Sequence, residues 1–259
     1  MVILSQKIFR RKIILTLTGV LLLTTAIKSN ANDFELDVIS YQLTIEPSID
    51  ERHISSTVII RFVIDKNATS VILKSGNLTI DKVTGDNVIG FENSDGNLVI
   101  KLSEREKEEN ELAIDYHGNP TRGLLFDPSQ GQAFTVYSTS QWMVCNDIPG
   151  DKALFHLNIS VPVDKSCIAS GELISQIRKN GKAQYSYQQN YESPPYTYGF
   201  AIGSFNQVEE QRDKMLLRYY SQNYSSDQLT TIFQETPSMM SFLKKNLELS
   251  IVNPRIPKY

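Results

Sequence analysis

Few side chains in this sequence could do hydrolytic or redox chemistry. There are three histidines, His53, His117 and His156, and two cysteines, Cys145 and Cys167. Metal-assisted hydrolysis needs ligands that converge on one ion, most simply two histidines one helical turn apart in an H-E-x-x-H helix. No two of these histidines have that spacing. His156 falls at a polar position of an alternating segment and reads as a surface residue. A serine nucleophile would be announced by G-x-S-x-G at a strand-to-helix turn, and that pattern is absent. Cys145 has no basic neighbour in sequence to activate its thiol. Acidic pairs are plentiful without a diagnostic spacing, so a glycosidase-type carboxylate pair is neither indicated nor excluded.

The first 31 residues carry a different message. Lys7, Arg10, Arg11 and Lys12 precede an apolar run, Ile13 to Ile27, which ends in Ser29-Asn30-Ala31. A cationic head, an apolar centre and a small-residue end are the three parts of a secretory signal peptide. The apolar run has 15 residues, short against the ~20 that span a bilayer as an uncleaved anchor. The expectation is therefore a signal peptide over 1–31, export to the periplasm or the exterior, and no membrane attachment after cleavage. The remaining 228 residues hold 21 basic and 29 acidic side chains, a net of −8. Dispersed lysines on an acidic chain exclude a nucleic-acid partner. In an oxidising compartment Cys145 and Cys167 could be bridged, and two half-buried free thiols are equally compatible with the sequence.

The elements that would position these residues are strands. From Leu36 to about Phe205 apolar residues alternate with polar ones, as strands with one buried face require: Tyr41, Leu43 and Ile45, then Val58, Ile60, Phe62 and Ile64, then Phe155, Leu157, Ile159 and Val161. Shorter runs fall at 71–73, 78–83, 98–102 and 112–116, with further strands at 168–177, 183–188 and 198–205. Asp95-Gly96 in "NSDGN" suits a two-residue hairpin turn. The charge run "SEREKEENE" over 103–111 reads as a solvated connection. The layout is mainly β and antiparallel. After about Gln211, "KMLLRYYS" reads as one more strand. Leu229, Ile232, Phe233, Met240, Leu243 and Leu247 then recur at helical spacing, as a core-facing stripe. Pro237 either opens a second helix behind Thr236 or kinks a single longer one. Trp142 is read as a core or interdomain anchor in preference to a carbohydrate-stacking platform.

Three stretches taken in order resemble one family. "YQLTIEPSIDERHISSTVIIRFVIDKNATSVILKSGNLTIDKV" is similar to its opening strands. "VCNDIPGDKALFHLNISVP" resembles its signature "P-C-f-D-e-P-x-x-K-a-x-f" through Cys145, Asp147, Pro149, Lys152, Ala153 and Phe155. "SPPYTYGFAIGSF" resembles a third block through Pro194, Pro195, Tyr198, Ala201, Gly203 and Phe205. These are blocks of the N-terminal domain of the aminopeptidase N and leukotriene hydrolase family of zinc metallopeptidases. The resemblance implies a large saddle-like antiparallel β domain over 32–207, followed over 208–259 by the strand and helices that begin a thermolysin-like catalytic domain. It also implies that the chain stops before the family's G-x-M-E-N loop and H-E-x-x-H helix. No zinc is then bound by this chain, and none of its residues is catalytic. Zinc belongs to a full-length relative.

The family's β domain supplies a Gln or Glu that anchors the substrate's free amine about ten residues before the signature Cys, which falls on Thr135. The Arg that usually precedes the signature is replaced near Ser140. Cys145, Asp147, Pro149 and Lys152 are read as a structural signature on physical grounds: Asp147 before Pro149 suits a tight turn that its side chain can cap, and Lys152 can pair with it or with a neighbouring acid. Partners left open are a peptide, a protein and the missing catalytic domain. The functional expectation is an exported, non-catalytic portion of a peptide hydrolase, with a stand-alone protein-binding module as the rival.

Overall fold

The computed structural model describes residues 36–212 and 215–246. The leader expected over 1–31 and the segment after Asn246 lie outside the described residues. Alternation builds the main sheet. Strand β1 (Asp37–Ser48) buries Val38, Tyr41, Leu43 and Ile45, and β2 (His53–Val63) buries Ile54, Val58, Ile60 and Phe62. The two run antiparallel with Leu43 opposite Val58, so both apolar sets lie on one face. The sheet extends on one side through β7 (Glu109–Gly118) to β4 (Thr79–Thr84), and on the other through β10 (Ala153–Pro162) and β13 (Lys182–Ser193) to β12 (Glu172–Lys179).

One pairing departs from the antiparallel expectation. β10 lies parallel to β1, with Tyr41 beside Phe155 and Ile45 beside Ile159. Parallel neighbours need a long crossover, and here residues 49–152 provide it by building other structure before the chain re-enters at the same end as β1.

That excursion contains a three-stranded sheet of β3 (Ser70–Lys74), β6 (Asn97–Leu102) and β5 (Val88–Ser94), in that spatial order. Its hairpin closes as anticipated at Asp95-Gly96, with φ of 50° and 73°. It also contains β8 (Leu124–Asp127) and β9 (Gln132–Thr135), which join β11 (Ser166–Ala169) and β14 (Phe200–Gly203) in a four-stranded sheet ordered β11-β14-β9-β8. The single strand expected over 168–177 is therefore two strands in two sheets. The step between them occurs at Gly171, whose φ is 92° and where a Cβ would fall 2.5 Å from the Gln188 carbonyl oxygen. Only glycine tolerates that conformation in that space.

The charge run is not wholly solvated either. Arg105 is 8% exposed and donates through one terminal nitrogen to the carbonyls of Asp65 and Ala68, at 2.7 and 2.8 Å. It staples the turn between β2 and β3, and burial lowers its pKa. At the C-terminal end, β15 (Asn206–Arg212) and β16 (Met215–Ser221) form a hairpin. Helix α1 (Ser226–Ile232) opens on a capping box of Ser225 and Gln228. Helix α2 (Thr236–Asn246) has Pro237 in its first turn, so the two-helix alternative holds. Their apolar stripe is core only in part. Leu229 is buried, whereas Ile232 and Leu243 are 52% and 38% exposed.

Candidate functional site

The signature residues belong to the irregular segment that carries the chain from β9 back to β10. It begins with two consecutive non-glycine residues in the left-handed region, Tyr137 and Ser138, at φ 44° and 45°. A short 3-10 turn at Thr139–Gln141 follows. Trp142, Met143, Val144 and Cys145 are then completely buried, so four successive side chains enter the interior. Trp142 meets Phe200 edge to face at 5.4 Å between ring centres, which makes it a core anchor joining this segment to the four-stranded sheet. Cys145 exchanges two backbone hydrogen bonds with Lys74 of β3, at 2.8 and 3.1 Å. The segment thus touches three sheets.

A buried polar cluster fixes it. The Asn146 amide donates to the Tyr41 hydroxyl oxygen at 2.9 Å, and the Asn146 side chain donates to Asp151 Oδ2 at 2.6 Å. Asp151 Oδ1 accepts from the Val38 amide at 3.1 Å. The start of β1 is therefore tied to the approach to β10 by side chains as well as by the sheet ladder. Beneath this cluster Phe155 stacks on Tyr198 at 4.2 Å, and the Tyr198 hydroxyl reaches the carbonyls of Ala153 and Ser193 at 2.9 and 2.8 Å. The third sequence block thereby holds the second.

Two of the finer roles, those of Asp147 and Lys152, differ from the expectation. Asp147 does not cap its turn. Its Oδ2 accepts from the Ser140 hydroxyl at 2.7 Å, while backbone bonds from Ile148 to Asn146 and from Asp151 to Ile148 close the turn. Ser140 occupies the position where the resemblance calls for Arg, and it still partners Asp147 with a shorter donor. Pro149 and Lys152 are exposed, and among the described residues Lys152 forms no ion pair with Asp147 or another acid.

Neither cysteine is bridged; both are buried free thiols. Burial, reinforced by Asp147 and Asp151, pushes the Cys145 thiol well up, and burial pushes Cys167 up to about 12. A protonated, inaccessible thiol is no nucleophile.

Thr135 ends β9 and lines a groove of about 1090 Å³, together with Tyr187, Gly199, Glu209, Arg218 and Tyr220. Its hydroxyl accepts from the Phe200 amide at 2.9 Å and donates to the Phe200 carbonyl at 3.2 Å. The side chain thus acts as an extra rung between β9 and β14 and brings no negative charge to the groove. Asn146 and Asp151, the two polar residues that organise the segment, escaped sequence reasoning. The available signal was two amide and carboxylate side chains beside a run of interior apolar residues, where a buried polar group must find a partner.

Among the described residues, no three His, Cys, Asp or Glu side chains converge as a metal-binding set. These residues do not fit the zinc of a metallopeptidase.

Residues 38–197 match the model of the peptidase M1 N-terminal domain. The fold is similar to that of an M1 zinc metallopeptidase from Deinococcus radiodurans, with a TM-score of 0.68 at 21% identity over 81% of this chain and 52% of that one. It is also similar to a point mutant of the Deinococcus enzyme bound to a Tyr-Ser-Ala substrate, with a TM-score of 0.70 at 22% identity over 81% of this chain and 53% of that one. The chain spans about half the length of these solved structures. A shorter stretch of 97 residues is 31% identical to transcription initiation factor TFIID subunit 2 of Caenorhabditis elegans, covering 34% of this chain and 9% of that protein. With a family match over most of its β structure, and with the signature residues forming the junction between its sheets, the chain belongs to the peptidase M1 N-terminal domain family.

Proposed function

We propose that this chain is the N-terminal β portion of an exported metallopeptidase-type protein, and that these 259 residues do not hydrolyse peptides by themselves. The observation that carries this reading is a contrast within one molecule. The junction that organises the β domain is intact, from Trp142 through Cys145 to Tyr198, while neither G-x-M-E-N nor H-E-x-x-H occurs in the sequence. Water activation by zinc requires ligands that lower the water's pKa, and the described residues offer no such set. In this reading the exposed apolar residues of α2, Met239 and Phe242, are the face that a following catalytic layer would cover. Export rests on the three-part pattern of residues 1–31.

The test is incubation of the purified chain with aminoacyl reporter substrates. The expected result is no release of free amino acid above a protein-free blank. Turnover that co-purifies with the chain and scales with its concentration would overturn the reading.

A second reading, a stand-alone protein-binding module, is favoured by the similarity to a subunit of a transcription factor assembly, since that name describes a protein that works by association. Limited proteolysis separates the two. A self-sufficient module resists cleavage through α2, whereas a portion lacking its partner layer is trimmed near residue 210 and exposes apolar surface.

A further inference from the structure

Two of the three histidines are brought together far from the signature segment. His53 opens β2 and His117 lies near the end of β7. The register that places Ser55 opposite His117 makes His53 its diagonal neighbour on the same face. Their ring centres are 5.8 Å apart, with the planes inclined at 38°. Both rings are oriented through Nδ1. His117 Nδ1 lies 2.8 Å from Asp81 Oδ2, and His53 Nδ1 lies 3.3 Å from Asn119 Oδ1.

The second contact fixes a tautomer. The Asn119 amide nitrogen donates to the carbonyls of Glu51 and Arg52, at 3.3 and 3.1 Å, so its oxygen must face His53, and His53 Nδ1 must be the donor. The carboxylate of Asp81 imposes the same state on neutral His117. In the neutral form of both rings the proton sits on Nδ1, and Nε2 then carries a lone pair without a hydrogen-bond partner among the described residues. Histidines that bind metals are held in this way, with the second nitrogen donating to a carboxylate or carbonyl oxygen. The rings border a groove of about 500 Å³ that also receives Asp115, which accepts from the Thr57 hydroxyl at 2.7 Å, and Glu46, which is ion-paired with Lys182.

We propose that His53 and His117 form a two-histidine site for a divalent transition-metal ion, bound through the two Nε2 atoms with water completing the coordination. Imidazole nitrogens lie about 2.0–2.1 Å from such ions, which sets two rings on one ion at roughly 4.5–6.5 Å between centres depending on the angle at the metal, a range that includes the 5.8 Å found here. Imidazole ligands select copper, nickel and zinc over magnesium or calcium. Asp81 acts through His117 as a positioning residue, since its oxygen is engaged by Nδ1. The site is independent of the peptidase reading: it clips β2 to β7 and touches nothing in the 135–152 segment.

The test uses the untagged full chain and Cu²⁺ as the probe. Paramagnetic resonance is expected to show one copper per chain with two equatorial imidazole nitrogens. His53→Gln and His117→Gln should each weaken binding at least ~10-fold, and Asp81→Asn about 10-fold while keeping both nitrogens. A single-nitrogen spectrum, or binding unchanged by His53→Gln, would overturn the proposal. If circular dichroism shows His117→Gln to be unfolded, His53→Gln decides alone. Neither outcome bears on peptide hydrolysis, which the reporter assay reads separately.

Discussion

Replacing Tyr41 with Phe removes one oxygen from the fully buried heart of the polar junction. The ring keeps its edge-to-face contact with Tyr198 at 6.0 Å, so no cavity larger than the oxygen is created and the loss is polar. What remains is the Asn146 amide, buried and deprived of the 2.9 Å acceptor that it has now. An orphaned buried donor costs about 1–3 kcal/mol.

Tyr198→Phe is the matched control, because it removes from the same stack a hydroxyl whose single hydrogen serves two carbonyl oxygens, those of Ala153 and Ser193. Under-satisfied carbonyls are tolerated better than orphaned N–H groups, so its cost should be about 1 kcal/mol. In urea, with a slope of about 3 kcal/mol per molar for a domain of this size, Tyr41→Phe should lower the midpoint by about 0.3–1 M, and Tyr198→Phe by about 0.3 M. Equal slopes for the three proteins would confirm that stability alone has changed. A Tyr41→Phe midpoint within 0.1 M of the parent, or a larger loss in Tyr198→Phe, would refute the claim that the tie from β1 to Asn146 holds the junction.

Gly171→Ala should cost more than about 2 kcal/mol, since it adds strain at φ 92° to a 2.5 Å approach to the Gln188 carbonyl. Gly181→Ala at φ 74°, with nothing within 4 Å of the added carbon, should cost only about 1 kcal/mol, and thermal melts of the pair will show the difference. The buried thiols predict a loss of stability in alkali. Cys167 titrates at about 12 when folded against 9.0 for the free side chain. Stability is therefore full below pH 9 and falls as pH rises towards 12, by about 1.4 kcal/mol per pH unit for each such thiol. Urea midpoints between pH 8 and 10.5 should fall less steeply in Cys167→Ala than in the parent. Both thiols should resist a disulfide reagent until the chain is unfolded.

The strand-by-strand outline was legible because one face of each strand is buried, so that period two survives in the sequence: Tyr41-Leu43-Ile45 and Phe155-Leu157-Ile159 align in register as their parity requires. The same cue that marks Asp95-Gly96 marks Asn180-Gly181, whose φ values of 53° and 74° close the β12–β13 hairpin. What alternation could not reveal is which sheet a strand joins. Residues 168–177 read as one run because both halves are strand-like, and the change of sheet lies in the backbone of Gly171. β8 and β9 were missed because four residues each are too few for a period to register. Direction was equally hidden. Nothing in the residues of β10 distinguishes a parallel neighbour from an antiparallel one, and the long excursion between Ser48 and Ala153 permits either, as the antiparallel β2–β7 pair after another long excursion shows.

The signature stretch shows how a recognisable motif can serve the fold more than the chemistry. Read as a string, "VCNDIPGDK" invites roles for its most reactive members, the thiol and the charged groups. In the folded chain Cys145 contributes its backbone to Lys74, Lys152 stands in solvent, and Asp147 leans on Ser140. The residues that tie the segment down are Asn146 and Asp151, together with Tyr41 more than a hundred positions away. A segment that touches three sheets must satisfy its backbone and side-chain polar groups without a regular ladder, and buried polar groups left unmet would cost more than the junction gains. Spacing across such a segment is therefore constrained as tightly as it would be in an active site. That is why the stretch identifies the family.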